Sequence, residues 1–90
     1  MQPSDQQIQD ALLALIKQRG EQSSACPSEV ARALLPGEWQ GLMPRVRQVA
    51  GELALRGLLD ISQRGKSVSP STLPNGPWAG PIRVRLPRAI

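Results

Sequence analysis

Residues 44–56, Pro-Arg-Val-Arg-Gln-Val-Ala-Gly-Glu-Leu-Ala-Leu-Arg, constrain the fold of this 90-residue chain more than any other stretch. Apolar side chains at Val46, Val49, Ala50 and Leu53 recur at i, i+3, i+4 and i+7, the spacing of one buried helix face. The ends are punctuated to match. Pro44 suits the first helical position, where a missing N–H costs nothing, and Gly57 suits the left-handed residue just beyond the last turn. At about 100° per residue, Arg47, Gln48, Gly51 and Leu55 fall opposite the buried face, with Arg45, Glu52 and Arg56 along one flank. Arginines near the first turn of an amphipathic helix suit the reading helix of a helix-turn-helix.

The preceding segments supply what this helix packs against. Residues 4–19 read as a first helix, capped by Ser4 or Asp5, with Ile8, Leu12, Leu15 and Ile16 at helical spacing. Lys17 and Arg19 suit the negative end of its dipole, and Gly20 stops it. Residues 21–25 are polar and short, enough to cross to the next element and contribute one extended pairing. Residues 27–35 read as a second helix, with Pro27 in the first position, Cys26 as N-cap and Glu29 reaching back to the Cys26 N–H in half of a capping box. Arg32 lies one turn beyond Glu29 and is expected to pair with it. Val30, Ala31, Leu34 and Leu35 give this helix a small apolar face, and Pro36-Gly37 breaks it. Leu42 and Met43 are pushed toward extended geometry by the ring of Pro44. The connection to the third helix therefore reads as turn residues, with room for a short helical turn at Trp39. It is longer than the three or four residues of the tightest helix-turn-helix units.

Beyond Gly57, residues 58–64 alternate at Leu59, Ile61 and Gln63 as a half-buried strand does, and residues 81–86 alternate with Ile82, Val84 and Leu86 inward and Arg83 and Arg85 outward. Residues 65–80 hold Pro70, Pro74, Asn75, Gly76 and Pro77 and read as an irregular loop longer than ordinary hairpin connections. The order of elements predicts a single α+β domain, mainly α, over residues 1–90. Its architecture is a winged helix-turn-helix of three helices plus a small antiparallel β-hairpin wing.

Several of these residues also form recognisable motifs. Cys26-Pro27-Ser28-Glu29-Val30-Ala31-Arg32, Trp39 with Leu42-Met43-Pro44 and Val46-Arg47, the Gly57-Leu58 step and Gly80-Pro81-Ile82-Arg83 together resemble a small family of bacterial proteins of unknown function with a winged-helix-like fold. The resemblance covers nearly the whole chain. It implies the architecture and brings no substrate, ligand or catalytic residue.

Composition decides which chemistries are open. With one cysteine and no histidine, disulfide scaffolds, ordinary zinc sites and imidazole-dependent catalytic dyads are excluded, and the lone thiol fits a reducing cytoplasm. Neither a signal peptide nor a membrane span is expected, since the apolar run at residues 11–16 is short and preceded by acids. No paired carboxylates, phosphate-cradling glycine loop or Ser/Lys nucleophile stands out, so neither an enzyme nor a cofactor is expected. Charge is more informative, because the net +4 is unevenly spread: residues 1–43 carry three bases against five acids, and residues 44–90 eight bases against two. A basic second half points to an anionic partner.

The first functional expectation is therefore a DNA-binding module, as in a transcriptional regulator. Arg45, Arg47 and Gln48 would contact groove or backbone, and Arg64 and Lys66 the flanking backbone. Four phosphate contacts by Arg45, Arg47, Arg64 and Lys66 would give a salt slope of about −3.6, enough for weak binding by a monomer. Glu52 and Leu55 on the outward side argue against it, and the same arginines also suit a solvated face with local pairs such as Arg56 with Glu52. The alternative is a protein–protein interaction module in which Leu55 and the loop around Trp78 make the contact. Trp39 is expected to plug the core between the second and third helices. Trp78 either folds back on the sheet or offers a stacking surface. Arg83 and Arg85 suit blocking of a sheet edge as well as phosphate contact. Cys26 at a helix start has no histidine to activate it and suits burial.

Overall fold

A computed structural model of the chain describes residues 2–20, 23–63, 66–67 and 82–87, the pair 66–67 as backbone. The first helix, α1 (Asp5–Arg19), begins with a complete capping box: Ser4 Oγ accepts the Gln7 N–H at 3.1 Å and Gln7 Oε1 accepts the Ser4 N–H at 2.8 Å. Gly20, at φ +80°, turns the chain out and donates its N–H to the Ile16 carbonyl at 3.1 Å. The second helix, α2 (Pro27–Leu34), starts as its sequence predicts, with Glu29 Oε2 accepting the Cys26 N–H at 3.0 Å.

The third helix departs from expectation. α3 runs Trp39–Leu55, so it starts five residues before Pro44, and the proline lies in its second turn. Leu42 and Met43 are helical, not extended. A proline here leaves the Gln40 carbonyl without an N–H four residues on, but Gln40 and Pro44 are both exposed, so water can satisfy that oxygen. The buried face extends back accordingly, with Leu42 joining Val46, Val49, Ala50 and Leu53. Gly51, expected opposite that face, is buried too. At its other end α3 closes with a Schellman motif: Leu58 N–H donates to the Leu53 carbonyl at 2.9 Å and Gly57 N–H to the Ala54 carbonyl at 3.0 Å.

The strands are β1 (Asp60–Gln63), β2 (Lys66–Ser67) and β3 (Arg83–Arg85), in the order β2-β1-β3 with both pairings antiparallel. Ile61 stands opposite Val84 and Gln63 opposite Lys66. The strands expected at 58–64 and 81–86 are thus shorter as observed, and residues 66–67 of the expected loop are strand. The remainder of that loop, Trp78 included, lies outside the described residues.

Ala25 adds the extended pairing expected before α2, exchanging two 2.8 Å backbone hydrogen bonds with Val84. β3 is the edge strand of the three-stranded sheet, as expected, and its outer side is occupied at Val84 by the Ala25 bridge. Three helices and this small sheet give the layout of a winged helix. Ile8, Leu12 and Ile16 of α1, Val30 and Ala31 of α2, the α3 face, and Leu59, Ile61, Ile82 and Val84 form one apolar cluster. No polar side chain is buried among the described residues.

Candidate nucleic-acid interface

The early start of α3 shortens the α2–α3 connection to residues 35–38, the four-residue spacing of a compact helix-turn-helix. The turn is held by the backbone: Leu35 N–H donates to the Ala31 carbonyl at 2.9 Å and Glu38 N–H to the Leu35 carbonyl at 3.1 Å. The new start also changes which side chains occupy the end of α3 that a helix-turn-helix offers to a groove. Gln40, Gly41, Pro44 and Gln48 are exposed along it, Arg45 and Arg47 flank them at intermediate exposure, and Glu52 and Leu55 continue the strip toward the far end. Gln40 and Gly41 were not among the expected contacts, because a helix beginning at Pro44 leaves both in the turn.

Among the expected contacts, Gln48 stands in solvent as predicted. Arg45 is on α3 but turned toward α1, where its Nη2 lies 2.7 Å from Asp5 Oδ1 and its Nη1 donates to Gln2 Oε1 at 3.4 Å. Arg47 is half-buried on the other flank and is itself engaged in a side-chain interaction. Lys66 contributes its backbone to β2, while Arg64 lies outside the described residues. The structure therefore brings Arg45, Arg47 and Gln48 onto one helix and leaves the wing side of the site undescribed.

The local pairs differ from those the spacing suggests. Arg56 donates to Gln9 Oε1 of α1 at 3.4 Å in place of pairing with Glu52, so Arg45 on α3 and Arg56 at its C-cap both fasten α1 to this helix. Glu29 pairs with Arg19 of α1. Arg32, expected to pair with Glu29, instead lays its guanidinium over the Trp39 indole, 4.4 Å from the ring centroid. Trp39 is half-buried against the core between α2 and α3, so it plugs that junction with one face and carries Arg32 on the other. Arg83 donates to Ser24 Oγ at 2.6 Å and to the Ser24 carbonyl at 3.0 Å, and Arg85 lies 3.7 Å from Asp60. Both strand arginines thus tie β3 to its neighbours.

Elsewhere, an open groove of about 280 Å³ between α1 and α2 is lined by Ala11, Ala14, Leu15, Val30 and Ala33 together with Gln18 and Glu29. Among the described residues no group of three or more His, Cys, Asp or Glu side chains is placed to hold a metal ion, and no helix is long and apolar enough to cross a membrane. Cys26 is partly exposed, with its Sγ 2.9 Å from Ser28 Oγ.

A family described as proteins of unknown function, DUF3253, matches the chain over residues 5–87. That is nearly the whole length, and the chain belongs to this family. No curated protein matches it.

Proposed function

Starting from membership of a family whose description assigns no activity, we propose that this chain is a cytoplasmic winged-helix module that binds double-stranded DNA, as a transcriptional regulator does, and is not an enzyme. The observation that carries this reading is the compact helix-turn-helix, whose second helix buries one face and offers Gln40, Gly41 and Gln48 on the other, flanked by Arg45 and Arg47. In such units the N-terminal residues of the second helix meet base edges, and a Gln amide matches the paired donor and acceptor of adenine in the major groove. The arginines and the basic second half of the chain supply the phosphate attraction that sets register and orientation. The absence of histidine leaves no imidazole for acid–base work, which suits binding better than catalysis.

Amide-shift titration of the chain with mixed-sequence duplex DNA tests the reading. Shifts centred on residues 38–48 and weakened by Arg45→Ala with Arg47→Ala support it. No shift anywhere at low ionic strength overturns it.

A further inference from the structure

Arg32 is not among the basic residues that point outward on α3, yet its guanidinium is seated on an aromatic ring at the start of that helix. Its i−3 neighbour Glu29 is occupied by Arg19 and by the Cys26 N–H. None of the described residues gives Arg32 a carboxylate or a hydrogen-bond acceptor; its partner is the flat face of Trp39, 4.4 Å from its guanidinium carbon. A cation seated over an indole face is held there without using its hydrogen-bond donors, and Arg32 is exposed, so its five N–H donors stay open to solvent. Trp39 is the first residue of α3, so the stack sits at the helix-turn-helix junction beside the exposed Gln40 and Gly41.

We infer that Arg32, pinned on Trp39, is a phosphate-contacting residue of the DNA site, clamping the sugar–phosphate backbone next to the groove that α3 enters. The inference rests on the DNA-binding reading above and adds to it a contact from α2. A guanidinium fork seated over an indole can meet two oxygens of one phosphate, the pairing for which arginine is suited and lysine is not. Glu38, exposed at the N-cap of α3 and adjacent in sequence to Trp39, sets a limit on how many phosphates approach.

Fluorescence anisotropy with a labelled mixed-sequence duplex, measured across a fourfold range of salt on the whole chain, tests it. Loss of one phosphate contact in Arg32→Ala lowers the salt slope by about 0.9, so the gap from wild type closes about 3.5-fold over that range. The weakening is the same for unrelated duplex sequences, because a phosphate contact carries no base information. Arg32→Lys keeps the charge and hence the slope, but binds less tightly because the fork is gone. Melting temperatures of both variants show whether the fold is kept, and a purely structural role would shift them without moving the slope. Wild-type binding with an unchanged slope in Arg32→Ala overturns the inference and leaves the DNA reading standing. A wild type that binds no duplex but captures an acidic peptide through Arg32 overturns both.

Discussion

Gly57 and Gly41 both belong to α3 and its cap, and replacing each with alanine has opposite consequences. Gly57 sits at φ +74°, the left-handed conformation that the Schellman closure requires, and there an L side chain crowds the following carbonyl although no other atom lies within 4 Å of the added Cβ. Gly57→Ala should lower stability by about 1–2 kcal/mol, read as a shift in urea midpoint at constant slope. Gly41 has ordinary helical geometry, and a Cβ there also meets nothing within 4 Å. Gly41→Ala should raise stability by about 0.5–1 kcal/mol, since glycine inside a helix is the costlier residue. A stability gain joined to weaker duplex binding would show that the missing side chain serves close approach by the DNA; a gain with unchanged binding would show that it does not. The Gly57 role was legible in the sequence, as a C′ glycine after an apolar run. The space around Gly41 was not, because it depends on the helix starting at Trp39.

At the scale of elements, legibility followed the chemistry of the ends. α1 and α2 announce themselves through Ser4 with Gln7, Gly20, and Cys26-Pro27 with Glu29, which are local devices that work within one turn. α3 has no such start: Glu38 makes no side-chain cap, and the strongest nearby signal, Pro44, is equally compatible with the first position and with an exposed second turn. The buried spacing of Leu42 with Val46 was the available sign that the helix begins earlier. Partners of the arginines were illegible for a different reason, since Arg45 with Asp5 and Arg56 with Gln9 depend on how α1 lies across α3. If Pro44 is tolerated only because the Gln40 carbonyl faces water, then Pro44→Ala should restore that hydrogen bond and stabilise the domain by about 1–3 kcal/mol. Thermal unfolding checks this, with a neutral or destabilising result showing that the ring packs usefully where it is.

Across the whole molecule, the charge asymmetry read from the sequence is partly spent on internal contacts before any ligand arrives. Arg83 holds Ser24, Arg85 approaches Asp60, and Arg45 reaches to the start of α1. The Arg45–Asp5 pair matters most for function, because it lies at the edge of the exposed α3 strip and is itself well solvated, with 36% and 72% of the two side chains accessible. A pair so exposed contributes at most about 1 kcal/mol, so Arg45 can exchange Asp5 for a phosphate at little expense to the fold. Asp5→Asn should therefore lower stability by roughly 1 kcal/mol, from the lost pair and the lost acid in the first turn of α1, while strengthening duplex binding. If the gain comes from releasing Arg45 to one more phosphate, the salt slope steepens by about 0.9 and the effect vanishes when Arg45→Ala is already present. Asp10→Asn, which removes the same charge from the same helix but from a carboxylate bound by Gln6, is the control. An equal gain from Asp10→Asn would assign the effect to long-range charge alone, and Arg45 would then be a strut between α1 and α3 with no part in binding.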